Sequence, residues 1–189
     1  MLASESPRRL ALLAQIGSVP DAVVPAHVDE SVLKDELPRV HALRLAREKA
    51  KGVAEGWHGA PALVLAADTV VACGRRILPK AANENEVRAC LQLLNGRSHQ
   101  VLTAIALVKT DGPVISRVVT TRVSFARLSD QAIAAYAASG EGAGKAGGYA
   151  IQGGAEAFVR QINGSYSNVV GLPLFHTIQL LKGCGYSVP

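Results

Sequence analysis

The run Leu63-Val64-Leu65-Ala66-Ala67-Asp68-Thr69-Val70-Val71-Ala72 is apolar apart from one carboxylate and one hydroxyl. A short run this rich in β-branched residues reads as a strand buried on both faces. Asp68 is its anomaly. A carboxylate inside such a strand loses hydration, so it must be paired, bind a metal, or sit where the strand opens into a cleft. Two readings follow. Asp68 caps a turn or pairs with a buried arginine, or it is a catalytic or metal-binding aspartate at a strand end lining a crevice.

The surrounding chain has the means to bury such a strand. Its 189 residues suit one domain, with room for two lobes. A 49% hydrophobic and 19% charged composition excludes a disordered chain. Aromatics are only 4%, so Ala, Val and Leu must fill the core. A formal net charge of +5 favours anionic partners, either nucleic acid or small phosphorylated molecules. The basic residues are scattered with few aromatics among them, which leaves no stacking surface for single strands. Cys73, Cys90 and Cys184 are far apart and form no C-x-x-C pair, so neither a zinc site nor a disulfide framework is indicated. The first residues lack the basic-then-apolar pattern of a signal peptide, and no apolar run approaches the roughly 20 residues that span a bilayer. A soluble cytoplasmic protein is expected.

Taken in order, Leu2-Ala3 reads as the end of a first strand. Ser6 as cap, Pro7 at the first position and Gly17 as terminator predict a helix, with Leu10, Leu13 and Ile16 at helical spacing. Arg8 and Arg9 fall in its first turn. Cations there oppose the helix dipole, so a bound phosphate would compensate them. Val19 to Val28 is extended. A helix follows from Pro38 to Glu55, with Val40, Leu43, Ala46 and Val53 on one face. The Asp68 strand leads through Gly74-Arg75-Arg76 into a short return strand, Ile77 to Lys80. Asn83 or Asn85 caps a helix ending at Leu94. Ser98–Lys109 and Val114–Ala126 predict a long hairpin, and Gln131–Ser139 a helix. The glycine-dense segment Gly140–Gly154 either approaches a ligand with its backbone or is mobile; it fits neither a Walker A nor a Rossmann pattern. Ala157–Ile162 reads as a strand, Asn163-Gly164 as a tight turn, Ser165–Val170 as further strand, and Leu174–Lys182 as a last helix. The order predicts an α/β fold with a mixed sheet.

Several of these segments together resemble one family. Ala3-Ser4-Glu5-Ser6-Pro7-Arg8-Arg9, Val28-Asp29-Glu30, Leu45-Ala46-Arg47-Glu48-Lys49-Ala50 and Ala67-Asp68-Thr69-Val70-Val71 are similar, in order, to motifs of the Maf family of nucleotide pyrophosphatases. So are Gly144-Lys145-Ala146-Gly147-Gly148-Tyr149-Ala150-Ile151-Gln152-Gly153 and the block from Ile162 to Pro173. The resemblance covers nearly the whole chain, 1–189, as a single domain. Two departures stand out: Pro79-Lys80-Ala81 where the family usually has Lys-Pro, and His27 before Asp29.

The resemblance implies hydrolysis of nucleoside triphosphates between the α- and β-phosphates, giving monophosphate and pyrophosphate, with a divalent metal, Mg²⁺ or Mn²⁺. It implies an elongated mixed sheet flanked by helices, with two lobes and a central cleft, like that of inosine-triphosphate pyrophosphatases. Asp68 matches the family's base. Ser6, Arg9, Lys49 and Lys80 match phosphate-binding positions, and Glu30 with Asp68 would hold the metal. Arg8, Thr69 and Gln152 match the branch that prefers dTTP and UTP, ordinary or modified, over the branch acting on 7-methylguanosine triphosphate. The partners expected are a nucleoside triphosphate and a second copy of the chain in a homodimer, with neither nucleic acid nor membrane. The competing readings are a nucleic-acid-binding module, which the net charge would serve, and a non-catalytic nucleotide-binding regulator of cell division.

Overall fold

A computed structural model describes residues 1–110 and 112–186. A six-stranded mixed sheet carries the order β1-β2-β4-β5-β6, with β3 paired to β2. These strands are β1 (Leu2–Ala3), β2 (Leu63–Cys73), β3 (Arg76–Leu78), β4 (Ser98–Lys109), β5 (Val114–Phe125) and β6 (Val159–Asn163). β1 runs parallel to β2, and every other pairing is antiparallel. Val19–Val28 joins the sheet only through one bridge, Leu2 to Val23, as its two prolines require.

Helix α1 spans Pro7–Gln15 and α2 spans Pro38–Glu55. α2 covers one face of the sheet. Its Ala42, Ala46, Ala50 and Val53 pack on Val64, Ala66, Val70, Ala104, Ala106 and Val108. Alanine on both sides lets helix and sheet approach closely. The sequence spacing put Val40 on this face, but Val40 is 52% exposed. The buried stripe runs instead through His41, Ala42, Leu45, Ala46, Lys49, Ala50 and Val53, and so brings a lysine under the helix.

The other face carries a larger core. Leu12 and Leu13 of α1 meet Leu65, Ala67, Val71, Ile105, Leu107 and Phe125 of the sheet. Helices α3 (Glu84–Leu94), α4 (Asp130–Ala138) and α6 (Leu174–Gly183) complete this layer. Asn83 caps α3 and Ser129 caps α4 by accepting from backbone N–H groups.

The last third differs from the sequence reading. Gly154–Phe158 is a 3₁₀ turn, and strand β6 begins only at Val159. Ser165–Val170 is not strand. It forms a short helix, α5 (Tyr166–Val170), because the Ser165 hydroxyl accepts from Asn168 N–H and the chain leaves through Gly171 at φ 128°. That cap outweighs the β-branched Val169-Val170 pair. Among the described residues, no helix is long and apolar enough to cross a membrane.

Candidate active site

The sheet has a gap that explains the anomalous Asp68. On one side β2 pairs continuously with β4 from Leu63 to Ala72. On the other side β1 reaches only Ala66, and β3 begins at Val71. Between them, Ala67–Val70 of β2 has no partner strand among the described residues. The chain leaving β1 carries Ser4 to Pro7 past this gap into α1. Below it, Lys80 and Ala146 form a β-bridge that ties β3's end to the glycine-dense segment. A cavity of about 390 Å³ fills the opening, within the range of small-molecule sites.

Every residue singled out from the sequence lines this cavity: Ser6, Arg8, Arg9, Glu30, Lys49, Asp68, Thr69, Lys80 and Gln152. Strand alternation splits the central pair. Asp68 falls on the α2 side and Thr69 on the α1 side.

Asp68 is 4% exposed. Its carboxylate accepts from the Lys49 ammonium at 2.7 Å, and the same Nζ donates to Glu30 at 2.5 Å. Lys80 also donates to Glu30. Burial opposes ionisation of Glu30, but the hydrogen bonds from Lys49 and Lys80 override it and hold that carboxyl down at about 2. Lys49 and Lys80 were expected among the phosphate-binding groups; here they are engaged with carboxylates. Glu30 lies on an irregular segment, which is fixed just downstream. Arg44 donates from Nη2 to the Ser31 carbonyl at 2.9 Å and from Nε to Glu36 at 2.7 Å, and His41 Nδ1 meets Glu36 at 2.8 Å. These bonds, Arg44's foremost, hold the Glu36 carboxyl at about 2.

Arg9 is the contrasting cation. Its hydrogen bonds go to neutral oxygens: Gly171 O at 2.9 Å, Ser4 Oγ at 2.9 Å and Thr69 Oγ1 at 3.4 Å. Burial pulls its pKa below the ordinary arginine value, with Asp68 pulling the other way. Arg8 and Lys145 are likewise lowered by burial. Among the described residues, three cations thus face one cavity without a carboxylate hydrogen-bonded to any of them, an environment that an anion would relieve. Ser6 occupies the cap position of α1, yet its hydroxyl makes no capping bond, contrary to the sequence reading. The hydroxyl therefore remains available to a ligand beside the helix N-terminus.

The glycine-dense segment is packed against β2 and α3. Gly147 and Gly148 sit at φ 71° and 70°. A Cβ on Gly147 would meet Val71 at 2.8 Å, and one on Gly148 would meet the Val87 backbone at 3.1 Å. Tyr149 is anchored behind the cavity by its hydroxyl, 2.8 Å from His99 Nε2. Gln152 follows on the exposed side.

No group of three or more His, Cys, Asp or Glu side chains able to hold a metal occurs among the described residues. Glu30 and Asp68, brought within reach of one ammonium, offer two carboxylates. That fits a hard cation such as Mg²⁺, which takes one or two carboxylates and completes its shell with water and substrate phosphates.

A family model described as Maf-like protein matches residues 1–184. The chain belongs to the Maf family. It is 62% identical over 187 residues to a Paramagnetospirillum magneticum protein named dTTP/UTP pyrophosphatase, covering 99% of this chain and 97% of that one. A Caulobacter vibrioides protein of the same name is 58% identical over 186 residues, covering 98% and 95%. Among solved structures, a HAM1 protein from Coxiella burnetii overlaps at TM-score 0.44 and 19% identity, over 67% of this chain and 72% of that one, which is too slight to carry an argument.

Some residues of this Maf site escaped sequence reading. Ser4 and Asn168 stood inside matched motifs without a role. His99 and Thr103 belong to none; Thr103 is signalled by a hydroxyl in the otherwise apolar, buried run 101–108, whereas His99, between Ser98 and Gln100, has no such signal.

Proposed function

We propose that this Maf protein hydrolyses nucleoside triphosphates to the monophosphate and pyrophosphate, with dTTP and UTP preferred. It is a hydrolase of the nucleoside triphosphate diphosphatase class, as its family membership and the names of its relatives support. The observation that carries the reading is a buried carboxylate in one cavity with three cations, Arg8, Arg9 and Lys145, that have no carboxylate partner among the described residues.

Asp68 orients the attacking water and takes its proton. Lys49 fixes that carboxylate from the α2 side. Arg9, Lys80 and the Ser6 hydroxyl hold the phosphates beside the positive end of α1, with planar bidentate contacts from the guanidinium. A divalent cation arriving with the triphosphate would be held by Glu30 and Asp68, and would supply neutralisation of phosphate charge. Arg8, Thr69 and Gln152 read the base, because a pyrimidine edge presents groups that a donor, an acceptor and an amide can match.

The test is pyrophosphate release over a nucleotide panel with Mg²⁺. UTP and dTTP should lead in kcat/KM, with ATP and GTP far behind. Equal rates for purines and pyrimidines would overturn the base preference. No release from any nucleotide would overturn the activity.

A further inference from the structure

Thr103 lies on β4 directly opposite Thr69 and is wholly buried. Its hydroxyl donates to the Asn168 carbonyl at 2.9 Å. A carbonyl only accepts, so the single Thr103 proton is committed there. Thr69 Oγ1 stands 3.0 Å from Thr103 Oγ1. The proton in that bond must then come from Thr69. On its other side Thr69 Oγ1 receives Arg9 Nη2 at 3.4 Å, and a guanidinium can only donate. Both neighbours impose one sense: Thr69 gives its proton inward and turns lone pairs toward the cavity.

The inner end of this relay is rigid. Asn168 is wholly buried in α5, and its Nδ2 donates to Val101 O and Thr121 Oγ1, each at 3.0 Å. Thr121 in turn accepts from Ser165 N–H at 3.0 Å. These side-chain bonds hold α5 against β4 and β5, and with it the Asn168 main-chain carbonyl that accepts from Thr103.

We infer that Thr103 is a positioning residue for base choice: it makes Thr69 an obligate hydrogen-bond acceptor toward the substrate. The consequence is chemical. On the pairing edge of uracil or thymine, O2 and O4 accept and only N3–H donates. An acceptor-only Thr69 therefore matches N3–H. Cytosine carries a lone pair at N3, which would face the lone pair of Thr69 and be rejected. Thymine and uracil share the N3–H, so one threonine accepts both. The inference rests on the reading of Thr69 as a base-contacting residue.

The experiment compares kcat/KM for UTP and CTP in wild type, Thr103→Val, Thr103→Ser, Thr69→Val and the double variant Thr69→Val/Thr103→Val. With Thr103→Val the Thr69 hydroxyl is free to rotate and donate, so the UTP:CTP ratio should fall about tenfold, the weight of one hydrogen bond. Thr103→Ser keeps the relay and should keep the ratio within about twofold. In the Thr69→Val background, adding Thr103→Val should leave the ratio unchanged, because Thr103 acts only through Thr69. A merely structural role would lower UTP and CTP alike. If Thr103→Val leaves the ratio intact while Thr69→Val collapses it, the relay is wrong and base reading by Thr69 stands. If Thr69→Val leaves the ratio intact, both fail. Should Thr103→Val not fold, the wild-type protein still tests the acceptor role that Thr103 imposes on Thr69: N3-methyl-UTP, which has no N3–H, should lose at least about tenfold against UTP. Equal use of the two would overturn the inference.

Discussion

Replacing Lys49 by methionine should destabilise the fold more than it perturbs its shape. Methionine keeps the aliphatic stem that α2 buries and removes only the ammonium. In the native protein that ammonium meets Asp68 at 2.7 Å and Glu30 at 2.5 Å, and the Lys49 and Asp68 side chains are 9% and 6% exposed. No other hydrogen-bond donor reaches the Asp68 carboxylate among the described residues. The variant therefore leaves a charge in a nearly dry site, and removing one partner of a buried pair costs about 3–5 kcal/mol. Arg9 nearby softens this through space, so the lower end is expected. Equilibrium urea unfolding at pH 7 measures the loss directly. In thermal melts it corresponds to roughly 10 °C for a chain of this size. The double variant Lys49→Met/Asp68→Asn should recover much of the loss, because a neutral amide no longer strands a charge. A cost below about 1 kcal/mol, the scale of an exposed ion pair, would refute the claim that Lys49 holds Asp68 in a desolvated site.

Four further outcomes follow. Asp68→Asn should lower kcat by about 10²–10⁴ with nucleotide binding retained, the usual worth of a general base, and steady-state kinetics with isothermal titration would check it. Gln152→Glu should cost about 1–3 kcal/mol in kcat/KM for UTP and dTTP and far less for ATP, since a carboxylate would face the pyrimidine's acceptor oxygens; Arg9→Ala should weaken all triphosphates, a result that one nucleotide panel can read. Chelation of divalent cations should abolish pyrophosphate release and added Mg²⁺ should restore it, while near-ultraviolet dichroism stays unchanged. Finally, burial holds His99 down at about 4 against an ordinary value near 6.5, so the unfolded chain takes up a proton first as pH falls. Stability should therefore decline from about pH 6.5 to pH 4, by roughly 3 kcal/mol at most, before the contributions of Glu30 and Glu36 are lost toward pH 2. Denaturant unfolding of wild type and His99→Gln across that window compares the two slopes, and the variant's should be flatter.

The long periodic elements were legible in the sequence because burial imposes one period on each. β2, β4 and β5 fall within a residue of the strands expected, and α2 has the expected ends. What failed was set by contacts distant in sequence. The stripe that α2 buries is chosen by the alanine-rich sheet beneath it, so Val40 faces outward while Lys49 goes in. α5 hides in a β-branched stretch: its Ser165 cap is local, but the Thr121 contacts that hold that serine come from 44 residues away in the chain. At the site, the motifs pointed to which residues would gather, and the cavity contains all of them. Their pairing was not legible: the ion pairs of Lys49 and Lys80 depend on where the Glu30 segment is pinned by Arg44. Thr103 and His99 lie outside every motif, and their partners, Thr69 and Tyr149, are 34 and 50 residues away in the chain.

Hydrolysis of UTP in H₂¹⁸O with mass analysis of both products tests the proposed reaction most directly. Attack of water at the α-phosphate, with Asp68 as base, predicts ¹⁸O in UMP and unlabelled pyrophosphate. UDP with labelled inorganic phosphate, or label appearing in pyrophosphate, would contradict it.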